Sequence, residues 1–254
     1  MYIEKEIVKI KNTQQEKVSD FITVERQISI YVNGDLFLRV MCSPVDIKEF
    51  VYGFFFSNGY IEHPREIRSF KLVNTTCLVE IKKEIKRKLL TIGSSCFTSF
   101  FDSENLYKER SDYIDIKKYD IINLMKEFQN KSRVYRQTGG VHSAGLTDGK
   151  KIVFFSEDIG RHNAVDKVIG KLILSNSRIK NKILLTSGRV SSEIVLKSLR
   201  AKFDAIVSSS TVTSLAVELA EKFKIVLVGF ARGRRFNIYT GEVISHFRDI
   251  EIIK

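Results

Sequence analysis

The sequence predicts an α/β fold with a smaller α+β domain at its N-terminus. Three observations support this prediction. After residue 150, four short apolar segments each end in a loop of small, hydroxyl and charged residues. Helix-like segments at 163–174, 192–203 and 213–223 accompany them, and such alternation is typical of a mostly parallel sheet with right-handed crossovers and helices on its faces. The N-terminal region instead contains paired strand patterns around one helix.

The N-terminal region contains a predicted hairpin and a predicted helix. Apolar and polar residues alternate through residues 28–40, with Asn33-Gly34 between the two halves. Asn-Gly is a strong hairpin signal because both residues accept the positive φ of a type I′ turn. Residues 43–46 resemble a capping box with proline at the first helical position, and the helix should end near Asn58-Gly59. Two further strands are predicted at residues 69–73 and 77–81.

The C-terminal region opens with a predicted helix over residues 120–129. Asp120 is its expected cap, and apolar side chains repeat at helical spacing along one face. We place the domain boundary in the polar segment before this helix, which gives domains at 1–117 and 118–254. A glycine-broken loop is predicted at 137–143. The apolar side chains of the helix are Ile121, Leu124, Met125 and Phe128, and the four strands are residues 151–155, 182–185, 204–207 and 224–230.

Composition and charge restrict the class of protein. The chain has 254 residues, of which 43% are hydrophobic, and carries a net charge of +12. No apolar run approaches the ~20 residues that span a bilayer, and the N-terminus lacks a secretory pattern, so we expect a cytoplasmic protein without membrane contact. Residues 151–254 hold 18 Lys and Arg against 10 Asp and Glu, which favours anionic partners. Specific nucleic-acid binding is disfavoured because no groove-reading motif is present.

The loops after the four strands form a candidate binding site. In open α/β sheets, ligands bind outside the carboxyl ends of the strands, where helix N-termini favour anions. Arginines on these loops offer bidentate contacts to phosphate oxygens, and Gly233 permits close approach of the backbone. We therefore expect a phosphate-bearing small molecule, although an ordinary basic turn is an alternative for the last loop. The arginines are Arg161, Arg189, Arg232, Arg234 and Arg235.

The cysteines and histidines give no metal or disulfide pattern. Cys42, Cys77 and Cys96 are too few and too scattered for a disulfide framework or a Cys-x-x-Cys site. Cys42 and Cys77 lie beside apolar residues and are typical of small buried hydrophobes. Cys96 lies in a Gly/Ser loop. The sequence alone leaves two interpretations of its thiol, a reactive role and a structural one. His142 and His162 are expected to form hydrogen bonds, because the zinc deaminase pattern of His-x-Glu and Pro-Cys-x-x-Cys is missing.

Several longer motifs resemble those of the formate dehydrogenase accessory proteins, the FdhD/NarQ family. The likeness covers nearly the whole chain. It is carried by residues 32–35, 41–44 and 53–61 in the N-terminal part and by residues 138–146, 157–167, 186–192, 215–220 and 229–241 after it. It implies that the second domain has three α/β/α layers like a cytidine deaminase without the zinc site. It also implies a sulfur carrier that receives persulfide sulfur from a cysteine desulfurase. The acceptor would be the molybdenum bis(molybdopterin guanine dinucleotide) cofactor of formate dehydrogenase, with GDP or GTP as analogues.

The resemblance also implies roles for single residues and a homodimer. Cys96 is the implied persulfide cysteine. Ser99 occupies the place of a second loop cysteine, so a single thiol would accept and donate sulfur without forming an internal disulfide. A chaperone that binds the cofactor without sulfur transfer therefore stays an alternative. The implied cofactor-binding stretch is Phe230, Ala231, Arg232, Gly233, Arg234 and Arg235, and His142, Arg161, Ser187 and Arg189 complete the predicted set.

Overall fold

A computed structural model describes residues 1–83, 85, 90–91, 98–99, 112–114, 116–175 and 177–244. Within these ranges, no helix is long and apolar enough to cross a membrane. The helices are α1 (Ile47–Ser57), α2 (Lys118–Lys131), α3 (Arg133–Thr138), α4 (Arg161–Leu174), α5 (Ser192–Arg200) and α6 (Ser214–Lys222). The strands are β1 (Tyr2–Lys11), β2 (Gln14–Thr23), β3 (Arg26–Val32), β4 (Asp35–Cys42), β5 (Ile67–Val73), β6 (Thr76–Ile81), β7 (Leu90–Thr91), β8 (Thr98–Ser99), β9 (Ile116–Lys117), β10 (His142–Thr147), β11 (Ile152–Asp158), β12 (Ile183–Thr186), β13 (Ala205–Ser208), β14 (Val226–Arg232), β15 (Arg235–Thr240) and β16 (Val243–Ile244).

The N-terminal region forms a four-stranded sheet in the order β4-β3-β6-β5. The predicted hairpin is confirmed as β3 and β4, joined by Asn33 (φ 50°) and Gly34 (φ 96°). The strands predicted at 69–73 and 77–81 are confirmed as β5 and β6. Helix α1 ends at Ser57, as predicted, and packs its aromatic side chains on one face of the sheet. Before this sheet, β1 and β2 form a separate two-stranded hairpin that is largely exposed.

The predicted capping box before α1 is wrong. The N-cap is Asp46, which has left-handed backbone geometry and makes no side-chain cap hydrogen bond. Its carboxylate instead accepts a hydrogen bond from Ser156 and pairs with Lys171 at 2.6 Å. The Ser43 hydroxyl accepts the backbone N–H of Ile159 at 3.2 Å. Both polar side chains that predicted a local cap therefore bind the C-terminal region.

The C-terminal sheet has six strands in the order β11-β10-β12-β13-β14-β15. Only the β12–β13 and β13–β14 pairs are parallel, so the prediction of a mostly parallel sheet is wrong. The difference arises because β10 occupies part of the predicted loop at 137–143 and forms an antiparallel hairpin with β11, and because β15 returns beside β14. Since β10 is antiparallel to both β11 and β12, strands β11, β12, β13 and β14 nevertheless run in the same direction.

The six-stranded sheet lies between two helical layers, so the α/β fold class is confirmed. Alternate residues of each strand face opposite sides, and Leu184, Ile206 and Leu227 pack against α4, α5 and α6. Leu185 and Val207 point to the other face, against α2. Helix α2 is longer than predicted and has Lys117, not Asp120, as its N-cap. Its predicted apolar face is confirmed, because Ile121, Leu124, Met125 and Phe128 are all buried.

Helices α1 and α4 touch through two glycines. A Cβ added to Gly53 would lie 1.8 Å from the Asp166 carbonyl oxygen, and one added to Gly170 would lie 1.8 Å from that of Glu49. Only glycine permits this backbone approach. The helix of the N-terminal region is therefore packed directly on a helix of the C-terminal layer, and the division into domains at residue 117 stays a prediction.

Candidate functional site

The ends of four strands lie side by side at one edge of the six-stranded sheet. Strands β11, β12, β13 and β14 end there at Asp158, Thr186, Ser208 and Arg232, and β10 begins there at His142, opposite Asp158. The loops that follow these strands face the same side. We call residues 142–143, 158–163, 187–191, 208–213 and 230–232 the strand-end surface.

Hydrogen bonds connect the neighbouring loops of the strand-end surface. The Ser187 hydroxyl accepts the backbone N–H of Ser143 at 2.9 Å and lies 3.4 Å from Nδ1 of His142. The Ser208 hydroxyl donates to the Gly188 carbonyl at 2.7 Å. The backbone N–H of Phe230 donates to the Ser210 carbonyl at 2.8 Å. These bonds hold the loops in fixed positions relative to one another.

Four of the predicted binding residues lie in one part of this surface. Arg161 begins α4 and is half-buried, and a Cβ added to Gly188 would lie 2.8 Å from the Cβ of Arg161. Burial, followed by the charge of Arg189, lowers the pKa of Arg161. Burial and the Arg161 charge likewise lower the pKa of His142, which touches Ser187. Two guanidinium groups that repel each other beside a helix N-terminus favour the binding of an anion.

The stretch from Phe230 to Arg235 lies farther along the edge, and residues 231–235 are not the loop that was predicted. Strand β14 continues to Arg232 and β15 begins at Arg235, so only Gly233 and Arg234 form the turn. Nε of Arg232 donates to the Ser209 carbonyl at 2.6 Å. Phe230 has a positive φ of 53° and its side chain is 40% exposed. Such backbone strain at an exposed aromatic residue is typical of functional positions. The remaining member of the stretch, Ala231, is buried.

Several residues at this site were absent from the predicted set. Asp158 and Lys167 form a fully buried ion pair at 2.6 Å. Asp158 also accepts the backbone N–H groups of Ser43 (3.1 Å) and Gly160 (2.8 Å) and the Asn163 amide (2.9 Å). This one carboxylate therefore fixes the turn that presents Arg161. Both residues lie inside the motif at 157–167, but nothing in the sequence distinguishes them from solvated charges.

A second buried group surrounds His162. Nε2 of His162 lies 3.2 Å from a Glu193 carboxylate oxygen. Burial and the positive charge of Lys197 lower the pKa of His162 to about 2, so its ring is neutral. Lys197 donates to Asp166 at 2.7 Å and to the Ser57 hydroxyl at 2.9 Å. Helices α1, α4 and α5 meet at this polar cluster.

A cavity of about 340 Å³ lies between the N-terminal region and the start of α4. One wall is apolar except for Arg39 and comes from β4 and α1. The other wall is polar and comes from β10, α4 and α5. The lining residues include Leu38, Val40, Met41, Phe50 and Phe54 on the apolar side and His142, Arg161, His162, Asp166 and Lys197 on the polar side.

The structure describes two of the three cysteines. Cys42 and Cys77 are fully buried, which confirms them as small core residues. Burial raises the pKa of Cys42 to about 12 and that of Cys77 to about 11. Cys96 lies outside the described residues. Among the residues that the structure does describe, no group of three His, Cys, Asp or Glu side chains is arranged to hold a metal ion.

Comparison with known proteins gives consistent matches along the chain. The FdhD/NarQ family model matches residues 23–244. A Bacillus licheniformis protein named sulfur carrier protein FdhD is 33% identical over 250 residues, covering 93% of this chain and 94% of the relative. A Bacillus pumilus protein of the same name is 37% identical over 233 residues, covering 87% and 89%. A crystal structure assigned to a formate dehydrogenase accessory protein from Desulfotalea psychrophila matches with a TM-score of 0.78 at 28% identity, covering 94% of this chain and 97% of that one.

Proposed function

Because the chain belongs to the FdhD/NarQ family, we propose that it is a sulfur carrier required for formate dehydrogenase activity. Its relatives bear the name sulfur carrier protein. In this proposal, Cys96 accepts persulfide sulfur from a cysteine desulfurase. The protein then transfers the sulfur to the molybdenum bis(molybdopterin guanine dinucleotide) substrate before that substrate enters formate dehydrogenase.

The burial of two of the three cysteines is the observation that carries this proposal. Sulfur exchange requires a thiolate that the donor can reach. A pKa of about 12 leaves on the order of one Cys42 thiol in 10⁵ ionised at neutral pH, and Cys77 is equally enclosed. A close-packed core also leaves no space for an added sulfur atom. These facts support Cys96 as the carrier.

The first exchange needs only one thiol and no external oxidant. The Cys96 thiolate attacks the outer sulfur of the desulfurase persulfide. A new sulfur–sulfur bond forms on Cys96 while the donor bond breaks, and the donor cysteine leaves as a thiolate. Ser99 in place of a second cysteine does not affect this step, although it prevents an internal disulfide with Cys96.

The strand-end surface supports the binding of a phosphate-bearing substrate. Arg161, Arg189 and Arg232 supply guanidinium groups, and the first turn of α4 supplies a partial positive charge. The exposed ring of Phe230 offers a flat surface on which a base stacks. We propose that the phosphates of the guanine dinucleotide bind here, and that GDP or GTP binds as an analogue.

Mass spectrometry after incubation with a cysteine desulfurase and cysteine tests the sulfur step. We expect one added sulfur on the Cys96 peptide, removable by reductant. The Cys42→Ala and Cys77→Ala variants should load normally, whereas Cys96→Ala should not. Loading of the Cys96→Ala protein, or no loading under conditions that load the Bacillus licheniformis relative, would contradict the proposal.

A cofactor-binding chaperone without sulfur transfer is the second candidate, and Ser99 is the observation that favours it. The two functions differ in the behaviour of the Cys96→Ala protein. A chaperone would bind GDP and restore formate dehydrogenase activity without Cys96. A sulfur carrier would bind GDP and fail to restore activity, so measuring both properties in one variant separates the two.

A further inference from the structure

The β1–β2 hairpin is largely exposed although it carries many apolar side chains. Within its two strands, Ile7, Val18 and Thr23 are half-buried and all other residues are exposed. The hairpin is fastened at its base, where the Thr23 hydroxyl donates to the Thr138 hydroxyl at 2.8 Å. Its large exposed apolar residues are Tyr2, Ile3, Val8, Ile10, Phe21 and Ile22. Because an isolated two-stranded hairpin is marginally stable at best in water, this amount of exposed apolar surface indicates a contact with another molecule.

One face of the hairpin alternates apolar pairs with charged pairs. Side chains alternate between the two faces along a strand, and residues directly opposite each other share a face. The pairs on this face are Ile3 with Ile22, Lys5 with Asp20, Ile7 with Val18, and Lys9 with Glu16. Both lysines lie on β1 and both carboxylates lie on β2. We call these eight residues the alternating face.

The charges on the alternating face are self-complementary. A twofold axis parallel to the strands places β1 of a second copy over β2 of the first, so each β1 residue lies over the type of residue that it opposes in its own hairpin. Lys5 of the second copy then faces Asp20, and Lys9 faces Glu16. A twofold axis across the strands would instead place β1 over β1 and bring the lysines together. Opposite charges across a contact fix its register, and like charges oppose it, so only the first arrangement is favourable.

The other face of the hairpin lacks this property. It carries Glu4 and Glu6 on β1 and Lys17 on β2, and the residues opposite them are Phe21, Ser19 and Val8. The same rotation would therefore place each of these charges over a residue without an opposite charge. The Ser19 hydroxyl already donates to Glu4 at 2.6 Å, and Lys17 pairs with Glu6 at 3.5 Å. The charge pattern thus selects the alternating face.

We propose that the alternating face is an interface between two copies of this chain, in which the two hairpins pack face to face about a twofold axis parallel to their strands. A closed twofold contact uses the same surface on both copies. The apolar pairs supply buried area, and the charged pairs exclude other arrangements. The interface goes beyond the proposed function, because it requires neither Cys96 nor the strand-end surface. The hairpin also lies almost entirely before residues 23–244, which the family model matches.

Two charge-reversal variants test the interface. The double variant Lys5→Glu, Lys9→Glu makes the charges of the alternating face all negative, and Glu16→Lys, Asp20→Lys makes them all positive. Sedimentation velocity should show a dimer for the unaltered protein, and the dimer Kd should rise by at least about ten-fold in each variant, because like charges now face each other. A mixture of the two variants should associate again, and native mass spectrometry should find one copy of each in the complex.

The matched control is Glu4→Lys, Glu6→Lys, which changes the net charge by as much as the second variant but on the other face. Its dimer Kd should equal that of the unaltered protein. A monomer across the micromolar range would overturn the inference. So would a dimer that both charge reversals leave intact, or a mixture of the two variants that does not associate.

A fourfold variant separates the interface from the folding of the hairpin. Each double reversal also places like charges opposite each other within its own hairpin, which weakens that hairpin. Combining all four substitutions exchanges the charges of the two strands and keeps every pair within the hairpin. The fourfold variant should therefore form dimers with itself and not with isotope-labelled unaltered protein, since lysines would then face lysines. Mixed dimers that form as readily as the pure ones would contradict the proposed packing.

Discussion

Removing the charge of Lys197 should destabilise the protein more than any surface substitution. Its Nζ lies 2.7 and 2.8 Å from the two Asp166 oxygens and 2.9 Å from the Ser57 hydroxyl. The Lys197 side chain is 5% exposed and that of Asp166 is 2% exposed. In Lys197→Met, the apolar stem is kept, but the Asp166 carboxylate is left buried with only the Ser57 hydroxyl as a donor.

The expected loss in the free energy of unfolding is large because the Asp166 carboxylate that remains has no access to water. Breaking a buried pair by removing one partner typically costs about 3–5 kcal/mol. The double variant Lys197→Met, Asp166→Leu removes both charges and should be more stable than Lys197→Met alone. The loss in the free energy of unfolding of the double variant should be smaller than the sum of the two single-variant losses by at least about 2 kcal/mol.

Urea unfolding followed by circular dichroism measures these free energies. The matched control is Lys131→Met, which breaks the exposed pair between Lys131 and Glu127 at 3.7 Å. Such surface pairs contribute roughly 0.3–0.5 kcal/mol, so the control should change little. A loss of less than about 1 kcal/mol for Lys197→Met, or single losses that simply add, would show that Lys197 and Asp166 do not stabilise the fold as a buried pair.

Two further predictions concern pH and helix packing. The pKa of His162 is about 2 in the folded protein and about 6.5 when unfolded, so only the unfolded chain gains this proton as pH falls. Stability should therefore decrease below pH ~6.5 by up to about 1.4 kcal/mol per pH unit, and His162→Gln should flatten that slope in urea titrations. Gly170→Ala should destabilise the protein by about 3 kcal/mol, because its Cβ would meet the Glu49 backbone; Gly34→Ala, with no atom within 4 Å, should cost only about 1 kcal/mol. A rise in stability for Gly170→Ala in thermal or urea unfolding would show that α1 and α4 do not touch.

The β3–β4 hairpin was predictable from sequence because residues close together in the chain determine it. Asn33-Gly34 determines the turn, and alternation determines which face is buried. The strand order of the six-stranded sheet was not predictable in this way. Whether β10 pairs antiparallel with β11 and β12 depends on residues distant in sequence. The capping prediction failed for a related reason, since Ser43 and Asp46 satisfy distant partners.

The candidate site was likewise only partly predictable from the sequence. Arg161, Ser187 and Arg189 were predictable because a general rule places ligands at the carboxyl ends of strands that run together. Lys167 and Lys197 were not, because a lysine on a helix gives the same sequence pattern whether it is solvated or buried beside a carboxylate. Only the packed structure shows that both lysines are almost fully buried.

The buried carboxylates link ligand binding to the contact between the two regions. Asp158 binds the backbone N–H of Ser43 on the N-terminal side and that of Gly160 directly before Arg161. The position of Arg161 therefore depends on the N-terminal segment being docked. By linkage, a ligand that binds only the correctly placed Arg161 must also stabilise that docking. The binding of a phosphate group beside Arg161 and the packing of α1 on α4 should therefore strengthen each other.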